Sequence, residues 1–267
     1  MIKLGVNSVL FQGHDLAVAF RHIALAGYDG VELSAIKGMC EHLDLDKWAG
    51  QVDSIRALAG EHKLELLSIE EAALDEGRLN ACFEAAAALG IGVVNIGPGG
   101  KAGNDEDFAR QTDLMAKMAD RAAARGVTLC VKAHVGACIF NTPTTLAAMK
   151  KIASPGFGID MDPSHIYRAG ENPEQALPAV LGRVKHVHIR DCKGRGPSPG
   201  EPKDQACGRG DIDLFGYCKA MVAGRYDGPV CLEVIGAGAY DLAQRAIVAA
   251  ESYGYLNACL RQLGARK

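Results

Sequence analysis

The chain has 267 residues, 48% of them hydrophobic, and a formal net charge of -3. That is enough apolar material for one large core, and the near-balanced charge gives no electrostatic basis for binding nucleic acid. No apolar run reaches the length of a membrane span, so no membrane partner is expected. Strand-like and helix-like segments then alternate from end to end. Strand 2–8 opens the chain, its apolar part too short for a signal peptide. Helix 15–26 follows Asp15 and stops before Gly27; strand 29–35 leads to helix 44–62 after Asp44. Strand 64–70, helix 78–89, strand 92–97 and a helix over 105–125 opening at Asp105 come next. The second half repeats the pattern: strand 127–134 and helix 142–153 from Thr142, then strand 157–162 and helix 173–182, with Asn172 as cap and Pro173 in its first turn. Strand 184–191, helix 214–223, strand 229–235 and helix 239–263 complete it.

Eight β–α units without a second composition regime predict a single-domain (β/α)8 TIM barrel over residues 1–267. A doubly wound open sheet would want a glycine-rich phosphate loop, and GPGGKAG at 97–103 lacks the G-x-G-x-x-G spacing. The connection 192–213, rich in Gly and Pro, leaves the C-terminal end of the seventh predicted strand, where barrel active sites lie. It is expected to cover a substrate. Nine scattered cysteines, odd in number and without a C-x-x-C pair, predict reduced thiols and a cytoplasmic setting.

Four polar residues stand inside consecutive apolar runs: Lys132 in VTLCVKAH, Asp162 in FGIDMDPSH, His188 in VKHVHIRD and Glu233 in GPVCLEVIG. Side chains alternate across a strand, so Lys132 and His134 oppose Val127, Leu129 and Val131, while His186, His188 and Arg190 oppose Val187 and Ile189. Burying an ionisable group costs several kcal/mol unless it is paired or binds a metal, so the four polar sets are expected to converge.

GYDGVEL at 27–33, DPSH at 162–165, HVHIRD at 186–191, GRGDID at 208–213 and LEVIG at 232–236, in this order, resemble the xylose isomerase-like barrels, the sugar phosphate isomerase/epimerase group. The resemblance spans nearly the whole chain. It implies one divalent metal (Mn, Mg or Zn) held by residues at the positions of Lys132, Asp162, His188 and Glu233, of which Asp162, His188 and Glu233 keep ligand types. It also implies a ketose, keto-sugar or related polyol as substrate. A hard cation polarises the carbonyl and carboxylates move a proton on the neighbouring carbon.

Lys132 departs from that pattern, since the family places a metal-binding Glu there. Three readings stand. Asp162, His188 and Glu233 still bind a metal, helped by His134. Or the Lys132 ammonium takes the place of the cation, paired with Asp162 and Glu233. Or Lys132 is an amine of depressed pKa acting as base or Schiff-base nucleophile. Glu233 is the family acid/base position that survives, so Glu233 and Lys132 are the catalytic candidates. His165 and Arg190 resemble the family's holders of substrate oxygens, and Glu32 and His134, which share the inward sets, are further substrate-binding candidates. The expected function is an isomerase or epimerase abstracting a proton beside a carbonyl. The alternatives are a lyase or dehydratase using the same abstraction on a keto-sugar or inosose, and a catalytically silent sugar-binding barrel. The expected partner is a small sugar, and a homo-oligomer is compatible with the sequence.

Overall fold

The alternating apolar runs fold as strands β1 (Lys3–Asn7), β2 (Gly30–Ile36), β3 (Cys40–Glu41), β4 (Glu65–Ala72), β5 (Val93–Ile96), β6 (Thr128–Lys132), β7 (Phe157–Asp160), β8 (Val184–Ile189) and β9 (Pro229–Leu232) in a computed structural model describing residues 2–267. All except β3 are parallel neighbours, and β1 pairs with both β9 and β2, which closes an eight-stranded barrel. The expected (β/α)8 architecture is what the chain forms. β3 lies outside that ring as a two-residue antiparallel strand folded back on the end of β2. The sequence reading had no element there, because two residues carry no period.

Helices α1 (Leu16–Ala26), α2 (Trp48–His62), α3 (Glu76–Leu89), α4 (Asp105–Ala123), α5 (Thr142–Lys151), α6 (Pro163–Arg168), α7 (Pro173–Val180), α8 (Leu214–Ala223) and α9 (Leu242–Gln262) lie between and after the strands. Some starts differ from expectation by one position. Asn104 and Asn141, not Asp105 and Thr142, accept the orphan N–H groups at the starts of α4 and α5. α2 begins after Lys47, four residues late, because the Asp44 carboxylate turns the chain by accepting from the backbone N–H of Asp46. α6 is an unexpected single helical stretch: Asp162 caps it and Pro163 fills its first position. Leu129, Val131, Ile159, Val187, Ile189, Val230 and Leu232, the outward set of the strands, are fully buried in the apolar core.

Three strand pairs slip register: β2 with β4 between Val31 and Glu32, β4 with β5 between Glu70 and Ala72, and β7 with β8 between Ile159 and Asp160. Each slip falls beside an inward-facing carboxylate. A bulge re-aims the side chain next to it, and such irregularities gather at barrel rims and active sites.

The connection 192–213 is fastened beside the barrel mouth. The buried Asp191 carboxylate accepts from the backbone N–H groups of Cys192, Gly208 and Ile212 at 3.0–3.1 Å. A Cβ at Gly210 would stand 2.0 Å from Asp191 Oδ1, so only glycine lets this loop close on its anchor. All nine cysteines are free and buried. No helix among the described residues is long and apolar enough to cross a membrane.

Candidate active site

The polar residues at the C-terminal ends of the strands form two tiers. The upper tier lines a cavity of about 200 Å³ walled by Glu70, Lys132, His134, His165, Arg190 and Glu233, with Ile36, Met39, Ala72, Gly97 and Ile235 as its apolar part. Lys132 ends β6, only 5% exposed, and is the hub. Its ammonium donates to Glu70 Oε1 at 2.9 Å and to Glu233 Oε1 at 2.7 Å, and lies 3.2 Å from His188 Nδ1. Burial works against the charge on Lys132, but Glu233 and Glu70 outweigh it and raise its pKa above the ordinary lysine value. The reading of Lys132 as an amine of depressed pKa is therefore overturned: two carboxylates at hydrogen-bond distance hold the proton on.

Arg190 is the second cation. Its guanidinium stands 3.1 Å from Asp162 Oδ2 and 3.0 Å from Glu233 Oε2, and donates to Ser164 Oγ at 2.8 Å and His165 Nε2 at 2.9 Å. Asp162 thus pairs with Arg190, not with Lys132 as one reading expected. Its Oδ1 is taken by the backbone N–H and hydroxyl of Ser164, at 2.8 and 2.7 Å, because it caps α6. Burial and the neighbouring Arg190 hold His165 well below the usual imidazole value, so it is a neutral ring facing the cavity. His134, beyond the end of β6, is exposed at the mouth with its ring 4.2 Å from that of His165.

The two carboxylates on Lys132 differ. Burial would push Glu233 up, but Lys132 and Arg190 together keep it well below the usual carboxylate range. Glu70 is pushed up to about 7 by burial and by the Glu233 charge, which the pull of Lys132 only partly offsets. Its second oxygen accepts from Asn7 Nδ2 at 2.6 Å. The sequence reading passed over Glu70. The signal was there in part: Ser68 and Glu70 share one parity of β4, opposite Ile69 and Glu71. Its neighbour Glu71 turns outward to Arg78, 2.7 Å away.

The lower tier sits deeper in the barrel and none of it reaches the cavity wall. Glu32, expected to touch substrate, belongs here: Ser68 and Asn95 donate to its Oε1 at 3.0 and 2.6 Å, Asn7 donates to Oε2 at 3.0 Å, and His188 Nε2 also lies against Oε2. The inward set of β2 points to the axis as predicted, but at a level below the cavity. His188 Nδ1 lies 2.6 Å from Asp160 Oδ2, while His186 spans Asp160 Oδ1 at 2.9 Å and Ser68 Oγ at 3.0 Å. Burial opposes charge on His188, yet Asp160 and Glu32 on its two sides raise its pKa well above the ordinary value.

Among the described residues, three groups have acidic, His or Cys atoms close enough to hold a metal: Glu32–Glu70–His188, Asp160–His186–His188 and Glu32–His186–Cys231. The expected set of Asp162, His188 and Glu233 is not among them. It does not fit a divalent ion as the side chains stand. The Lys132 ammonium lies between Glu233 and His188, and the Arg190 guanidinium between Glu233 and Asp162. No residue of 192–213 lines the cavity; the turn between β2 and β3, with half-exposed Met39, overhangs it instead.

Comparison with known proteins agrees with the fold. Over 90 residues, 34% of this chain and 30% of the relative, the sequence is 26% identical to an inosose dehydratase of Clostridium botulinum (strain Alaska E43 / Type E3), so the match spans under a third of that protein's length. A D-psicose 3-epimerase crystallised in the presence of D-fructose superposes with a TM-score of 0.79 at 15% identity, covering 97% of this chain and 99% of the other. A probable 3-DHS dehydratase of Bacillus anthracis superposes with a TM-score of 0.75 at 15% identity, covering 94% and 97%. Epimerases and dehydratases thus both stand among the structural neighbours. A family model described as xylose isomerase-like TIM barrel matches residues 20–259, and the chain belongs to that family.

Proposed function

We propose that this protein is an enzyme that abstracts the proton from a carbon beside the carbonyl of a small, uncharged polyhydroxy ketone. The observation that carries this reading is the pair of carboxylates, Glu70 and Glu233, held on one ammonium at the wall of a cavity at the strand ends. A general base works best with a pKa near the operating pH, which Glu70 meets at about 7. Glu233 is the second proton-transfer carboxylate and the anchor of Lys132. In the step, Glu70 takes the carbon-bound proton and the electron pair moves onto the carbonyl oxygen. The resulting enediolate is stabilised by Lys132 and Arg190, with neutral His165 and His134 orienting substrate hydroxyls. Both cations of the wall are already committed to carboxylates, which favours a neutral sugar over a phosphate ester.

Returning the proton to the neighbouring carbon or the opposite face gives isomerisation or epimerisation, the primary reading. The second reading is a dehydratase, in which the enediolate expels a β-hydroxyl that takes the proton held by Glu70 and leaves as water; the partial similarity to an inosose dehydratase supports it. A panel of ketopentoses, ketohexoses and inososes in deuterated water, followed by NMR, tests both. Solvent deuterium should enter one substrate class next to its carbonyl. A new epimer or isomer marks the primary reading and an enone the second. No exchange with any of them overturns the proposal in favour of a silent sugar-binding barrel.

A further inference from the structure

The atoms that would ligate a metal at the strand ends can be followed one by one. Glu233 gives Oε1 to Lys132 at 2.7 Å and Oε2 to Arg190 at 3.0 Å. Asp162 gives Oδ1 to Ser164 and faces Arg190 with Oδ2 at 3.1 Å. His188 has Glu32 Oε2 against Nε2, and its Nδ1 lies 2.6 Å from Asp160 Oδ2 and 3.2 Å from the Lys132 ammonium, so neither ring nitrogen faces an open position. Glu70 gives Oε1 to Lys132 and Oε2 to Asn7. His186 is spoken for by Asp160 and Ser68. Asp160 Oδ2, Asp162 Oδ2 and Glu233 Oε2 accept no hydrogen bond, but each faces the His188 ring or the Arg190 guanidinium at 2.6–3.1 Å rather than an open position shared with the others. The point where Glu70, Glu233 and His188 converge is filled by the Lys132 nitrogen.

We propose that Lys132 is the resident cation of this site, a covalently tethered ammonium standing where a divalent ion would otherwise bind, and that Glu70 completes its cage. An ammonium at hydrogen-bond distance from two carboxylates supplies positive charge at a fixed place and repels a second cation from the same pocket. Its single charge sets a weaker field than a divalent ion, which Arg190 supplements from the side of Asp162. The working role of this cation rests on the functional reading above, but its presence does not.

The test needs no substrate, so its outcome is independent of the exchange assay. Metal analysis of the purified protein, with Mn2+ titration by calorimetry and electron paramagnetic resonance, should show no stoichiometric metal and no saturable site. Lys132→Glu removes the charge and adds a ligand. It should bind one Mn2+ at least about 100-fold more tightly than the parent, the scale on which ligand charge tunes oxygen-rich sites. A parent protein that holds one equivalent of Mn, Mg or Zn overturns the proposal. So does a folded Lys132→Glu variant that binds Mn2+ no better than the parent, because Lys132 then does not stand at the metal position. Should that variant not fold, judged by circular dichroism, the parent titration alone decides.

Discussion

The two tiers of the barrel interior are made of the same residue types, yet they are in different states. In the lower tier, Glu32 and Asp160 face His186, His188 and neutral amides, and burial is complete. Burial would raise the Asp160 carboxyl, but the two histidines outweigh it and hold it well below its ordinary value. In the upper tier, Lys132 serves two carboxylates at once, and Glu70 is left with its pKa lifted to about 7. His188 also stands between two carboxylates, but Glu32 accepts in addition from Asn7, Ser68 and Asn95 and Asp160 from the His188 backbone N–H, whereas Glu70 has only Lys132 and Asn7, with the Glu233 charge beside it. What separates the tiers is how many donors reach each carboxylate, not the kind of residue.

The largest expected effect breaks this contrast from above. Glu70→Gln keeps the shape and removes the basic oxygen, so solvent exchange into substrate should fall by about two to four orders of magnitude. Its thermal midpoint should change little, since Lys132 keeps Glu233. If exchange survives in Glu70→Gln and is lost in Glu233→Gln, the base is Glu233 and the assignment within the pair reverses. From below, Asp160→Ala strands two buried histidines and should cost about 3–5 kcal/mol in denaturant unfolding, the scale for breaking a buried ion pair. Its exchange rate per folded molecule should drop far less than that of Glu70→Gln. An equal loss of exchange would show that the lower tier takes part in the chemistry.

The pH dependence sharpens the same line. The native carboxyl of Glu70 lies at about 7, above its ordinary value of 4.5, so its folded state holds the proton longer. Its contribution to stability is therefore full below about 4.5 and is lost as pH rises through about 7. Exchange should move the other way, climbing with pH up to about 7 and then levelling. That limb should vanish in Glu70→Gln. A flat profile from pH 5 to 9 in the parent would contradict the assignment. The smallest effect is expected at the rim. Met39 is 50% exposed over the cavity, and Met39→Ala should raise KM by less than about tenfold with kcat nearly unchanged, the worth of a few methylenes against a substrate.

Period-two alternation was enough to bring Lys132, Arg190 and Glu233 to one wall, because inward parity survives to the strand ends. What alternation cannot carry is depth along the barrel axis. Glu32 and Lys132 read alike in sequence, one step of parity from apolar neighbours, but β2 and β6 place them at different levels. Nor does it carry partner choice. Asp162 was expected on Lys132, yet the Lys132 backbone registers with Asp160, and Asp162 lies beyond the strand as the cap of α6. Parity sets Glu70 and Glu71 on opposite faces of β4 without saying which faces inward. The tie is broken only by Arg78 of α3, a contact from outside the barrel.

The slipped registers at Glu32, Glu70 and Asp160 bear on any attempt to transplant this centre. An idealised barrel with uniform pairing would present the same residues at regular heights, and three carboxylates would then aim along different vectors. A designer moving the site would have to carry the irregular pairings with the side chains, accepting a less regular scaffold as part of the function. In this chain the irregular backbone is as much a component of the proposed site as the residues mounted on it.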